Sequence, residues 1–88
     1  MQILVVEDER RMAELLRRGL SEEGHRVVVA RDGAEGFEMA RSSAFDVIVL
    51  DVMLPRLNGL AVTRRLRESR NQTPVLLLTC LLYTSRCV

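Results

Sequence analysis

The sequence predicts a doubly wound α/β fold, a parallel sheet with helices on both faces, and three observations carry that prediction. Four short apolar runs alternate with three stretches of helical period, in the order βαβαβαβ. Short connections between them call for parallel strands joined by right-handed crossovers. The chain has 88 residues, room for one small core and not for two domains.

Ile3-Leu4-Val5-Val6 is the first strand, closed by Glu7-Asp8-Glu9. Met12, Leu15, Leu16, Gly19 and Leu20 recur at helical spacing and predict an amphipathic first helix. Gly24 suits the left-handed residue that closes such a helix. Arg26-Val27-Val28-Val29-Ala30 is the second strand, punctuated by Asp32-Gly33. Ala34, Phe37 and Ala40 mark the face of a second helix, with acids early and Arg41 late, as the helix dipole favours. Val47-Ile48-Val49-Leu50 runs straight into Asp51, and Pro55 then stops regular structure. An unbroken apolar run of this kind reads as a strand buried on both faces. Asn58-Gly59 opens a third helix, on which Val62 and Leu66 share a face. Thr73-Pro74 breaks it, and Val75-Leu76-Leu77-Leu78-Thr79 is the fourth strand.

Composition narrows the function. A net charge of +1 gives no bulk electrostatic case for nucleic acid or membrane. No apolar run approaches the roughly 20 residues that span a bilayer. The start lacks the basic region and cleavage site of a signal peptide, so a cytoplasmic protein is expected. Cys80 and Cys87 match no zinc spacing and read as free thiols. Residues 80–88 show neither helical nor strand period, and they contain the one Tyr and both Cys. The expected organisation is a partial domain over 1–79 followed by a non-native tail, 80–88.

The first and third strands both end in acids. In open α/β sheets, ligands bind at the carboxyl edge, where the strand order reverses. If those strands are neighbours there, Glu7, Asp8 and Asp51 converge on one crevice. Two carboxylates about 5 Å apart repel by roughly 3 kcal/mol at an effective dielectric of 20. Three are stable together only with a proton, screening water or a cation, and Mg²⁺ is the natural hard ion. With a metal beside it, an Asp can take a phosphoryl group as an acyl phosphate. The bland alternative is that Glu7 and Asp8 cap the first helix while Asp51 opens a turn. A dinucleotide or P-loop site needs glycines after the first strand, and here three acids stand there. A haloacid-type phosphatase wants a second acid at the position of Met53.

The acidic pair Glu7-Asp8, Asp51 in Asp-Val-Met-Leu-Pro, Gly59 and Thr79 together resemble the receiver domain of two-component response regulators, in particular the OmpR/PhoB type. The resemblance runs from residue 2 to 79 without a gap. It implies a flavodoxin-like sheet, here incomplete, with four strands and three helices. It implies that Asp51 accepts a phosphoryl group from a histidine kinase, that Asp8 binds Mg²⁺ directly, and that Glu7 does so largely through water. The backbone carbonyl of Met53 would be a further ligand and Thr79 the switch hydroxyl. Transcription would be regulated in the intact protein, with DNA contacted only through a C-terminal domain. The chain departs from the family in having no lysine to pair with the phosphoryl oxygens and in carrying Cys80 where a small residue is usual. It resembles a receiver cut off after strand four. As written, weak or absent phosphorylation, a marginal fold and no family-like homodimer are expected. The alternatives are a non-phosphorylated pseudo-receiver that serves as an interaction module, or an inactive fragment. A hydrolase is disfavoured because no residue supplies a general acid. Met12 and Leu15 either dock a kinase helix or complete the core. His25 reads as a surface residue, and the Arg64, Arg65, Arg67 and Arg70 cluster reads as a solvated face.

Overall fold

The computed structural model describes residues 1–54 and 57–78. Its elements follow in the order β1 (Gln2–Val6), α1 (Arg10–Glu22), β2 (Arg26–Ala30), α2 (Gly33–Ser42), β3 (Val47–Asp51), α3 (Gly59–Glu68) and β4 (Val75–Leu78). The four strands form one parallel sheet in the order β2-β1-β3-β4, with Val6 level with Ala30 on one side and Leu50 on the other. The expected doubly wound fold is therefore present. Pro55, Arg56, Thr79 and the tail from Cys80 lie outside the described residues.

Strand pleating splits the apolar residues between two layers. Leu4, Val6, Ile48 and Leu50 face one way and pack with Ala40, Val62 and Leu66 of α2 and α3. Ile3, Val5 and Val49 face the other way, against Leu16 and Leu20 of α1. Both flanks of the central pair β1 and β3 are thus covered, which is why those two strands read as unbroken apolar runs. At the edge of the sheet, β4 leaves Leu76 57 % exposed.

Helix ends follow the local chemistry expected of them. Glu9 caps α1 by accepting the Met12 N–H, Asp32 caps α2 through the Glu35 N–H, and Asn58 caps α3 through the Ala61 N–H. Gly24 has φ +90° and closes α1, its N–H donating to the Ser21 carbonyl. After α3, Arg70 takes a positive φ of 65°, while the Arg67 guanidinium donates to the carbonyls of Asn71 and Thr73. Arg64, Arg65, Arg67 and Arg70 are all exposed, as expected of a solvated face.

Two helix faces differ from expectation. On α1 the buried side runs through Ala13, Leu16 and Leu20, while Leu15 is 64 % exposed and Gly19 meets open space. One helix rests on a narrow strip of sheet, and residues a quarter-turn from the contact line fall outside it. On α2 the buried residues are Gly33, Gly36 and Ala40, with Phe37 half-buried and Ala34 exposed. The approach there is so close that a Cβ at Gly36 would stand 2.7 Å from Val6 Cγ2. Absence of a side chain, not apolarity, marks that contact line. His25 is half-buried, its Nδ1 3.1 Å from the amine of Met1.

Candidate functional site

Adjacency of β1 and β3 carries their acidic ends to one place. The carboxyl end of each strand is anchored by that strand's other neighbour. The Glu7 N–H donates to the Ala30 carbonyl of β2 at 3.0 Å, and the Val52 N–H donates to the Leu78 carbonyl of β4 at 3.0 Å. Carboxylate oxygens of Glu7, Asp8 and Asp51 lie within 4.8 Å of one another. Glu7 is 1 % and Asp51 5 % exposed, whereas Asp8 faces solvent.

The local turns hold these side chains in place. Asp51 Oδ1 accepts the Met53 N–H at 3.0 Å, so the backbone just beyond the strand orients the carboxylate. Glu7 Oε2 accepts the Glu9 N–H at 2.9 Å. Its other oxygen, Oε1, is buried without a hydrogen-bond partner among the described residues. The bland alternative for the acidic pair does not hold, because Glu9 and not Glu7 or Asp8 caps α1. Gly59 closes the far end of the loop: its N–H donates to the Val52 carbonyl, and a Cβ there would stand 2.5 Å from the Asp51 carbonyl oxygen.

Electrostatics follow from burial. The Glu7 carboxyl is pushed up from 4.5 to about 7, first by loss of water around it and then by the Asp51 charge, against a pull from the Glu9 N–H. A buried carboxylate oxygen with no donor is a costly arrangement unless a proton or a cation meets it. With three carboxylates converging on one point, the donor set is all oxygen and suits a hard divalent ion. The residues present therefore fit Mg²⁺.

Of the residues singled out from the sequence, Glu7, Asp8 and Asp51 come together. Met53 sits at the rim, with its amide on Asp51 and its side chain 64 % exposed, while Thr79 lies outside the described residues. Sequence reasoning missed Glu9, which caps α1 and also anchors Glu7. Its signal was available: an acid three residues before the first amide it can bond at a helix start. No helix among the described residues is long and apolar enough to cross a membrane.

Comparison with known proteins points the same way. The chain is 51 % identical over 79 residues to response regulator MprA of Mycobacterium avium, covering 90 % of this chain and 35 % of that protein. It is 48 % identical over 77 residues to the uncharacterized transcriptional regulatory protein YkoG of Bacillus subtilis, covering 88 % and 34 % respectively. It thus spans about a third of the length of the curated relatives it matches. Among solved structures, a Francisella response regulator receiver domain superposes with a TM-score of 0.88 at 34 % identity, covering 91 % of this chain and 66 % of that one. The response regulator TrrA from Thermotoga maritima, solved in complex with Mg²⁺-BeF, gives 0.85 at 35 % identity, covering 90 % and 69 %. The family model described as the response regulator receiver domain matches residues 3–84. A match to that family model over residues 3–84, nearly the whole chain, makes the chain a member of the response regulator receiver domain family.

Proposed function

We propose that this chain is a phosphoacceptor domain, modified on Asp51 by a histidine kinase in the presence of Mg²⁺. The observation that carries the reading is the convergence of Glu7 and Asp8 on a nearly buried Asp51 at the carboxyl edge of the sheet. The complex of the related TrrA with Mg²⁺-BeF supports it. Asp8 and Asp51 would hold the ion directly, Glu7 through water, and the Met53 backbone carbonyl would complete the protein's share. Mg²⁺ supplies neutralisation of charge on the transferring oxygens.

The chain's own residues do the rest. The Met53 N–H fixes Asp51 Oδ1, so the carboxylate meets an incoming phosphorus in one orientation. An Asp51 oxygen forms the new P–O bond as the donor's P–N bond breaks, its electron pair staying on the imidazole nitrogen. Thr79 is assigned the switch hydroxyl through its place in the family motif. In the intact protein the modification would govern transcription through a DNA-binding part, in keeping with the name of the YkoG relative. With a kinase partner of this kind, the chain would act in the cytoplasm.

The test is phosphoryl transfer to the chain from a phosphorylated histidine kinase, with and without Mg²⁺. A metal-dependent label released by hydroxylamine, and lost in Asp51→Asn, is the expected result. Because the chain contains no lysine, labelling slower than that of full-length MprA is expected. A label that survives in Asp51→Asn, or that ignores Mg²⁺, would overturn the reading.

A further inference from the structure

On the β2 side of the carboxylates, a cavity of about 300 Å³ opens between α1 and the end of β2. Glu7 and Asp8 form the wall it shares with the metal site, and Ala13 and Val29 give it an apolar patch. Arg10, Glu14, Arg17 and Arg31 line the remainder, so three arginines face three acids around the cavity. Arg17 is engaged by Glu14 at 2.7 Å, a pair that adds no net charge. Arg10 and Arg31 have no ion-pair partner among the described residues. Arg10 and Arg31 thus bring two cations without an acidic partner among the described residues to the lining of one cavity, and an oxyanion is the group that a guanidinium takes through charge-assisted hydrogen bonds. The first turn of α1 lies at the same wall, and its dipole has the same sign of preference. The acids on the shared wall oppose an anion, and a divalent ion held by them removes that opposition.

We propose that this cavity is an oxyanion subsite, in which Arg10 and Arg31 take a phosphate-class dianion beside the metal site and steer a phosphodonor toward it. Binding of the anion rests on the cavity's arginines together with a divalent ion on the shared acidic wall, and its role in transfer rests on the phosphoacceptor reading given above. The same phosphoryl chemistry arrives either on a small free molecule or on a phosphohistidine side chain.

Inorganic phosphate is the probe for binding, titrated into the ¹⁵N-labelled chain and followed at the amides of Ala13, Val29 and Arg31. Phosphate affinity is expected to rise when Mg²⁺ is present. It is expected to fall at least about tenfold in the double variant Arg10→Ala, Arg31→Ala, as loss of charge-assisted hydrogen bonds requires. Mg²⁺ affinity should be no weaker in that variant, because two cations leave the neighbourhood of the carboxylates, and Arg10→Lys, Arg31→Lys should recover part of the phosphate affinity. In the absence of Mg²⁺, Asp51→Asn should bind phosphate no more weakly than the parent chain. In transfer assays the double alanine variant should raise KM and leave kcat alone. Raised KM with phosphoramidate only assigns the subsite to free donors, and raised KM with the phosphorylated kinase as well assigns it to both. Phosphate affinity equal in the double variant and the parent chain would overturn the proposal. If phosphate binding behaves as stated while no donor labels Asp51, the phosphoacceptor reading fails and the subsite stands.

Discussion

Replacing Glu7 by Gln should stabilise the metal-free protein, and the gain should depend on pH in one direction. In the fold the Glu7 carboxyl titrates at about 7, against 4.5 ordinarily. Between those two values the folded chain keeps a proton that the unfolded chain has lost, so stability falls as pH rises through the window and levels off above about 7. At about 1.36 kcal/mol for each pH unit, ionised Glu7 costs the fold roughly 3 kcal/mol at pH 8 and almost nothing at pH 4.5. Glutamine carries no charge at any pH and keeps an oxygen for the Glu9 N–H that now meets Oε2. Urea unfolding followed by circular dichroism, in a divalent-free buffer at pH 5 and pH 8, measures the effect as the difference between variant and parent. The difference reads Glu7 together with its coupling to Asp51, since groups remote from the site titrate alike in both. The variant should be the more stable by roughly 1–3 kcal/mol at pH 8, and the difference should shrink to less than about 1 kcal/mol at pH 5. Added Mg²⁺ at pH 8 should stabilise the parent more than the variant, by supplying the cation that the orphaned Oε1 lacks. Equal stability of the two chains at pH 8 would refute the reasoning, for it would mean that water reaches Glu7 in the fold.

Three further outcomes follow from the same geometry. Asp8→Asn should weaken Mg²⁺ binding at least about tenfold by calorimetry, since it removes one of three converging charges, while its exposed position leaves stability within about 0.5 kcal/mol. Gly59→Ala should cost roughly 1–3 kcal/mol in urea unfolding, because its Cβ would stand 2.5 Å from the Asp51 carbonyl oxygen and the loop must shift; Mg²⁺ affinity should fall with it. Leu15→Arg should change stability by no more than about 0.5 kcal/mol, whereas Leu16→Ala should cost about 2 kcal/mol or more, a contrast that checks which side of α1 meets the sheet.

Much of this architecture was legible in the residues themselves. The four strands, the caps at Asp32 and Asn58 and the closing turn at Gly24 are local features, set by side-chain chemistry within a few residues. The helix faces were harder to read. Leu15 continues the apolar period of α1 and Ala34 that of α2, yet both are exposed. Period alone locates a stripe to within about a quarter-turn, and the sheet decides which edge of it is covered. On α2 the contact line runs through Gly33 and Gly36, residues that a search for apolar side chains passes over.

The sequence by itself determined that acids stand at the ends of two buried strands and that no glycine-rich phosphate loop follows the first. Only the tertiary structure decided that β1 lies beside β3, since strand order depends on contacts between segments distant along the chain. That order makes Asp51, Asp8 and Glu7 one site, buries Glu7 with one oxygen unmet among the described residues, and brings Arg10 and Arg31 to the lining of the neighbouring cavity. A strand's identity is written in its own residues. The proton affinity of a carboxylate is set by what surrounds it in space, and no local pattern records that.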